Sequence, residues 1–99
     1  MYEIFATDTF KKIFNSLSGE ETDWINKVRE KFRDYPTGKP LGYNWFREKK
    51  YLNKRLYYLI DEENKKILFV SFASKKEQQE VINFIKSNMK ELLSYLKSL

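Results

Sequence analysis

Between Lys39 and Arg55 the chain carries six cations (Lys39, Arg47, Lys49, Lys50, Lys54 and Arg55) against one anion, Glu48. That segment holds the whole formal net charge of +5, and the rest of the chain sums to zero. Tyr51, Tyr57 and Tyr58 are interleaved with it, and a second basic pair, Lys75 and Lys76, follows. Localised basicity of this kind is the footprint of a polyanion or acidic partner. Arginine presents a planar fork to phosphate oxygens. Crowding by like charge disfavours the protonated form of a lysine, which makes it a candidate base. Tyrosine rings can stack bases.

The chain has no cysteine and no histidine. Disulfides, thiolate metal sites and thiol catalysis are excluded, and so is the commonest general base. Proton transfer would have to run on Lys, Arg, Tyr, Ser, Thr or carboxylates. Glu62 and Glu63 fall in a turn and read as solvated, so they define neither a metal site nor an acid/base pair. No apolar run approaches the ~20 residues of a membrane helix, and no signal peptide is visible, so an intracellular, cytoplasmic protein is expected.

The elements that must position these residues follow from periodicity. With 99 residues, 41% hydrophobic and 17% aromatic, the chain should form one α+β domain over 1–99. Tyr2 to Thr7 reads as a strand, and Asp8 as the cap of a helix with Phe10, Ile13, Phe14 and Leu17 on one face. Ser18-Gly19 should end that helix. A second helix runs from about Glu20 to Arg33, with Trp24, Val28 and Phe32 inward, and should form a hairpin with the first. Tyr35 to Gly42, with both prolines, reads as a loop. Strands over Tyr43 to Tyr51, Arg55 to Ile60 and Lys66 to Phe72 follow, joined by short hairpin turns, with the last placed centrally. From about Lys75 to Leu99 one long amphipathic helix is expected. The order is β-α-α-β-β-β-α, a helical hairpin on one face of a mostly antiparallel sheet, with the other face left open.

That order, with a basic hairpin in its second half, resembles the RelE/ParE toxin superfamily of toxin–antitoxin modules. The most specific part is Phe46 to Gln79. It has a basic strand (Arg47, Lys49, Lys50), a short turn (Leu52 to Lys54), Arg55-Leu56-Tyr57-Tyr58, an acidic turn, an apolar strand and the Lys75/Lys76 patch. In the RelE branch the resemblance implies a ribosome-dependent messenger-RNA endonuclease, metal-independent and without a cofactor, held in check by an antitoxin. In the ParE branch it implies a topoisomerase inhibitor.

The RelE chemistry is feasible here. The RNA 2′-hydroxyl attacks the adjacent phosphorus while the protein removes its proton, stabilises the phosphorane and protonates the leaving 5′-oxygen. Arg55 matches the family's arginine and takes phosphorane stabilisation, Lys49 and Lys50 have the like-charge crowding a lysine base requires, Arg47 and Lys49 sit around the phosphate, and Lys75 and Lys76 serve as clamp or proton donor. Lys50, Tyr51, Lys54 and Tyr57 complete the expected RNA-binding set. Strand alternation places Arg47, Lys49 and Tyr51 on one side and Glu48 and Lys50 on the other. Many active RelE relatives carry a tyrosine shortly after the final basic patch; Glu80-Val81-Ile82 stands here instead. Two other readings stay open. The lysines could simply guard a sheet edge, and the chain could be a non-catalytic binding protein of the same fold. The helical tail would either close the core or meet an acidic or amphipathic partner.

Overall fold

The computed structural model describes all 99 residues. The first strand, β1 (Glu3–Ala6), leads into α1 (Asp8–Asn15) and α2 (Gly19–Asp34). Four strands follow: β2 (Lys39–Tyr43), β3 (Phe46–Tyr51), β4 (Lys54–Asp61) and β5 (Lys66–Ser74). A 3₁₀ turn at Lys75–Glu77 then opens into α3 (Gln78–Ser87) and α4 (Met89–Ser98). The sheet order is β1-β5-β4-β3-β2. β1 lies parallel to β5 at one edge, and every other pairing is antiparallel. This is the expected α+β architecture, with β5, the most apolar strand, inside the sheet.

Local chemistry explains the helix starts. Thr7, rather than Asp8, caps α1, its hydroxyl accepting from the Phe10 amide. Asp8 falls in the first turn, where its charge suits the helix dipole. Ser18-Gly19 begins α2 instead of ending α1. Ser18 and Glu21 form a reciprocal capping box, and that pattern outranks glycine's usual role at helix ends.

Each sheet face has its own core. Leu56, Tyr58, Ile60, Ile67, Phe69 and Phe72 pack with Phe10, Ile25, Val28 and Phe32 of α1 and α2. Phe46, Tyr57, Leu59, Leu68 and Val70 pack with Ile82, Ile85 and Leu96 of α3 and α4. The face expected to be open is therefore covered. The C-terminal segment is not one helix: it breaks at Asn88 (φ −111°, ψ 14°), whose side-chain amide donates to Phe84 O at 2.8 Å. The bend lets Ile82, Ile85 and Leu96 all reach the sheet, while Phe84 stays exposed. With both faces covered, both Tyr57 and Tyr58 are buried, Tyr57 included although it was expected in the RNA-binding set.

The proline-containing segment read as a loop contains the edge strand β2. Pro40 is tolerated because an edge strand need not donate along its whole length, and the register shifts between Pro40 and Tyr43. Gly38 (φ +148°) passes where a Cβ would lie 2.7 Å from the Glu48 carbonyl oxygen and collide with the Tyr58 hydroxyl, so only glycine lets this segment close over β4.

Candidate nucleic-acid interface

The β3–β4 hairpin decides which cations can act together. In register, Arg47 faces Tyr58, Lys49 faces Leu56 and Tyr51 faces Lys54, all on the α1/α2 side. Glu48 faces Tyr57 and Lys50 faces Arg55 on the α3/α4 side. The alternation expected from the sequence holds, and it puts the sheet itself between Arg47 and Lys49 on one side and Arg55 on the other.

On the α1/α2 side the basic groups hold structure together. Arg47 is buried, 9% exposed. Its Nε donates to Asn44 O at 2.8 Å, one terminal nitrogen to Asn44 Oδ1 at 2.9 Å and the other to Pro36 O at 3.4 Å. It pins the β2–β3 turn and the segment before β2 to the sheet. Lys49 Nζ donates to Thr37 Oγ1 at 2.9 Å and lies 5.8 Å from the Phe32 ring centroid. Tyr51 is half-buried against Trp24, with centroids 4.8 Å apart, which leaves it poorly placed to stack a base. Tyr58 donates its hydroxyl to Thr37 O, and burial raises its pKa.

Lys54 also turns to this side and pairs with Glu21 of α2 at 2.5 Å. That lysine, with the Ser18 amide, holds the Glu21 carboxyl below its ordinary range. A depressed acid stabilises the fold above its unfolded pKa and loses that contribution as pH falls through the folded value. The stability difference between wild type and Glu21→Gln should therefore be constant near neutrality and shrink on acidification below about pH 4.3, the unfolded value. Urea unfolding across that range measures it.

On the α3/α4 side a different group gathers. Lys50 is exposed opposite Arg55. The Lys75 amide donates to Asn53 O at 2.8 Å, which draws the β3–β4 turn against the end of β5. Lys75 and Lys76, both exposed, therefore emerge beside the strand ends that carry Lys50 and Arg55. Ser74 and Glu77 fix this bend, with the serine hydroxyl donating to the Glu77 carboxylate at 2.9 Å.

Arg55 is not free. Its Nε meets Glu48 Oε2 at 3.2 Å, and a terminal nitrogen donates to Lys54 O at 3.0 Å. The Arg55 and Glu48 side chains are only 13% and 8% exposed. Gln78, at the start of α3, donates to Glu48 Oε1 at 3.3 Å. Tyr57, opposite Glu48, is fully buried, and its hydroxyl is the one buried side-chain polar atom without a hydrogen-bond partner. Burial, followed by the nearby Glu48 charge, pushes its pKa up to about 12, so it stays protonated at neutral pH.

Sequence reasoning assigned neither Glu48 nor Gln78 a role. For Glu48 part of the signal was available, because alternation already set it on one face with Lys50; that Arg55 shares this face needed the cross-strand register. Gln78 needed the 3₁₀ turn at Lys75–Glu77 to aim it, and nothing in the spacing announced that turn. Where the RelE pattern has its late tyrosine, Ile82 is in the core and Glu80 is exposed. The exposed stacked pair lies elsewhere: Tyr43 and Trp45 stack at 4.8 Å in the β2–β3 turn, at the opposite end of β3 from the turn preceding Arg55.

No family model matches the sequence, and no curated protein does. Solved structures do. The isolated RelE toxin of E. coli superposes with a TM-score of 0.67 at 16% identity, covering 86% of this chain and 99% of that one. The toxin–antitoxin complex RelBE2 from Mycobacterium tuberculosis gives 0.62 at 18% identity, covering 74% and 96%. The RelB–RelE complex from Methanococcus jannaschii gives 0.63 at 15%, covering 78% and 96%. The chain thus has the RelE toxin fold. At these identities the likeness establishes the architecture and leaves the activity to the residues. No helix is long and apolar enough to cross a membrane.

Proposed function

We propose that this chain is a RelE-like toxin of a toxin–antitoxin module, cleaving messenger RNA on the ribosome through the RNA's own 2′-hydroxyl. The observation that carries the reading is the Lys75 amide to Asn53 carbonyl bond. It gathers Lys50, Arg55, Lys75 and Lys76 from three segments at one rim of a RelE-type sheet. On this rim Arg55 is the phosphorane stabiliser, because its planar charge suits equatorial phosphate oxygens. Lys50, not Lys49, is the base on its face. Lys75 and Lys76 hold the flanking phosphate or protonate the leaving oxygen. Arg47 and Lys49 act indirectly, by fixing the strand that carries Lys50. Tyr57, without exposed surface, positions its neighbours instead of stacking a base.

The partner that restrains such a rim is an acidic or amphipathic antitoxin segment, as antitoxins accompany the toxins in the neighbouring complexes. Reversing Lys50, Lys75 and Lys76 to glutamate should weaken capture of the product of the adjacent gene by at least tenfold, in line with the loss of several complementary charges. Undiminished capture would contradict this placement of the partner.

Two observations favour a second reading. Glu48 neutralises Arg55 within the fold, and the only exposed aromatic pair, Tyr43 with Trp45, sits away from the cationic rim. Both features suit a non-catalytic binding protein that inhibits a target through its surface, as a ParE-type topoisomerase inhibitor would. In that case toxicity would survive Arg55→Ala and fall with Trp45→Ala.

A further inference from the structure

A carboxylate at the centre of a phosphate-binding rim needs an explanation. Glu48 accepts from Arg55 through one oxygen and from Gln78 through the other, so both are occupied. The pair is nearly out of water, where an ion pair is broken only at substantial cost unless something replaces the lost partner. Each member has one available replacement. For Arg55 it is an incoming phosphate. For Glu48 it is the hydroxyl of Tyr57, the residue directly across the strand pair on the same face; that hydroxyl is buried, protonated and without a partner, and it feels the Glu48 charge. An unpaired buried hydroxyl is itself unfavourable, and a carboxylate turned towards it would gain a charge-assisted hydrogen bond.

We propose that Glu48 determines the specificity of this rim: it masks Arg55 until a polyanion with closely spaced phosphates displaces it, and the Tyr57 hydroxyl then receives the displaced carboxylate. The inference rests on the reading of Arg55 as a phosphate ligand. Its consequence is discrimination by valence. A single phosphate competes with Glu48 for Arg55 alone and loses to a pair already desolvated. A strand that also engages Lys50, Lys75 and Lys76 brings enough additional attraction to exchange the partners. Glu48 would thus reject inorganic phosphate and mononucleotides, which are abundant, in favour of extended RNA.

The test uses the full chain, a short 2′-O-methyl oligouridylate that cannot be cleaved, and inorganic phosphate as competitor. Glu48→Gln keeps the shape and the contact with Gln78 but removes the charge. It should bind the oligonucleotide at least about fivefold more tightly, the size of one opposing charge at an exposed pair, which is a lower bound for a pair this desolvated. It should also become sensitive to competition by phosphate, to which the wild type is indifferent. Tyr57→Phe should weaken oligonucleotide binding in the wild type and have no effect in the Glu48→Gln background, because the displaced carboxylate is then absent. Arg55→Ala separates the two ideas. If it binds as tightly as the wild type, the reading of Arg55 as a phosphate ligand fails and the mask fails with it. If it binds more weakly while Glu48→Gln binds no more tightly than the wild type, the rim stands and the mask is overturned. Equal effects of Tyr57→Phe in both backgrounds would likewise overturn the exchange, even if Glu48→Gln were too unstable for titration and were replaced by Glu48→Ala.

Discussion

Arg55→Ala should abolish ribosome-dependent cleavage while leaving the chain folded. Removing a group that stabilises developing phosphorane charge costs on the order of 10²- to 10³-fold in rate. Arg55 is tied to Glu48 and to two carbonyls of its own turn, so its loss also leaves the Glu48 carboxylate buried without its cation. Some loss of stability is therefore expected, and circular dichroism must accompany the rate measurement. Arg55→Ala/Glu48→Gln removes both members and should restore stability without restoring cleavage. Lys49→Ala is the informative contrast. It faces Phe32 and Thr37 on the far side of the sheet, and cleavage should fall by less than about threefold, in keeping with an exposed polar contact.

Arg47→Ala should damage the fold itself. The guanidinium makes three hydrogen bonds, to the Asn44 carbonyl and side chain and to the Pro36 carbonyl, in a largely buried setting. Truncation leaves those acceptors without a donor and opens space beneath the segment that passes Gly38. Each charged hydrogen bond is worth about 1.5–3 kcal/mol, but losses in one network are not additive, so about 3 kcal/mol overall is expected. For a domain of this size that corresponds to a fall in melting temperature of roughly 12–24 °C. Thermal unfolding measures it. Arg47→Lys should recover only part, because one ammonium cannot span acceptors arranged around a planar fork. A variant with wild-type stability and no cleavage would instead return Arg47 to the catalytic group.

The contrast between these two arginines shows what the sequence can and cannot convey. Both lie in one basic hairpin, and composition treats them alike. Period-two alternation correctly separated Arg47, Lys49 and Tyr51 from Glu48 and Lys50. It could not say which side faces α1 and α2, nor that both faces are covered, because those are facts of tertiary packing. The apolar stripe of the C-terminal segment was legible. Its break at Asn88 was not, since the stripe keeps helical period through the bend. The order of elements and the mostly antiparallel sheet were readable from hairpin turns and helix periodicity. The edge strand at Lys39–Tyr43 was hidden by proline and glycine, which weaken strand propensity but are tolerated at an edge. Glu48 was visible as the lone anion among six cations, yet its partner became evident only from the cross-strand register.

Cleavage at the Arg55 rim is measured most directly by primer extension on a defined message in a ribosome-containing translation reaction. The assay should compare the wild-type chain with Arg55→Ala and Lys50→Ala. Discrete new 5′ ends that require ribosomes are expected; they should disappear with Arg55→Ala and weaken strongly with Lys50→Ala, while Lys49→Ala retains them. An intact message with wild-type protein, in a reaction whose translation the protein nevertheless stops, would contradict cleavage. Cuts that persist in Arg55→Ala and vanish in folded Lys49→Ala would place the site on the other face of the sheet.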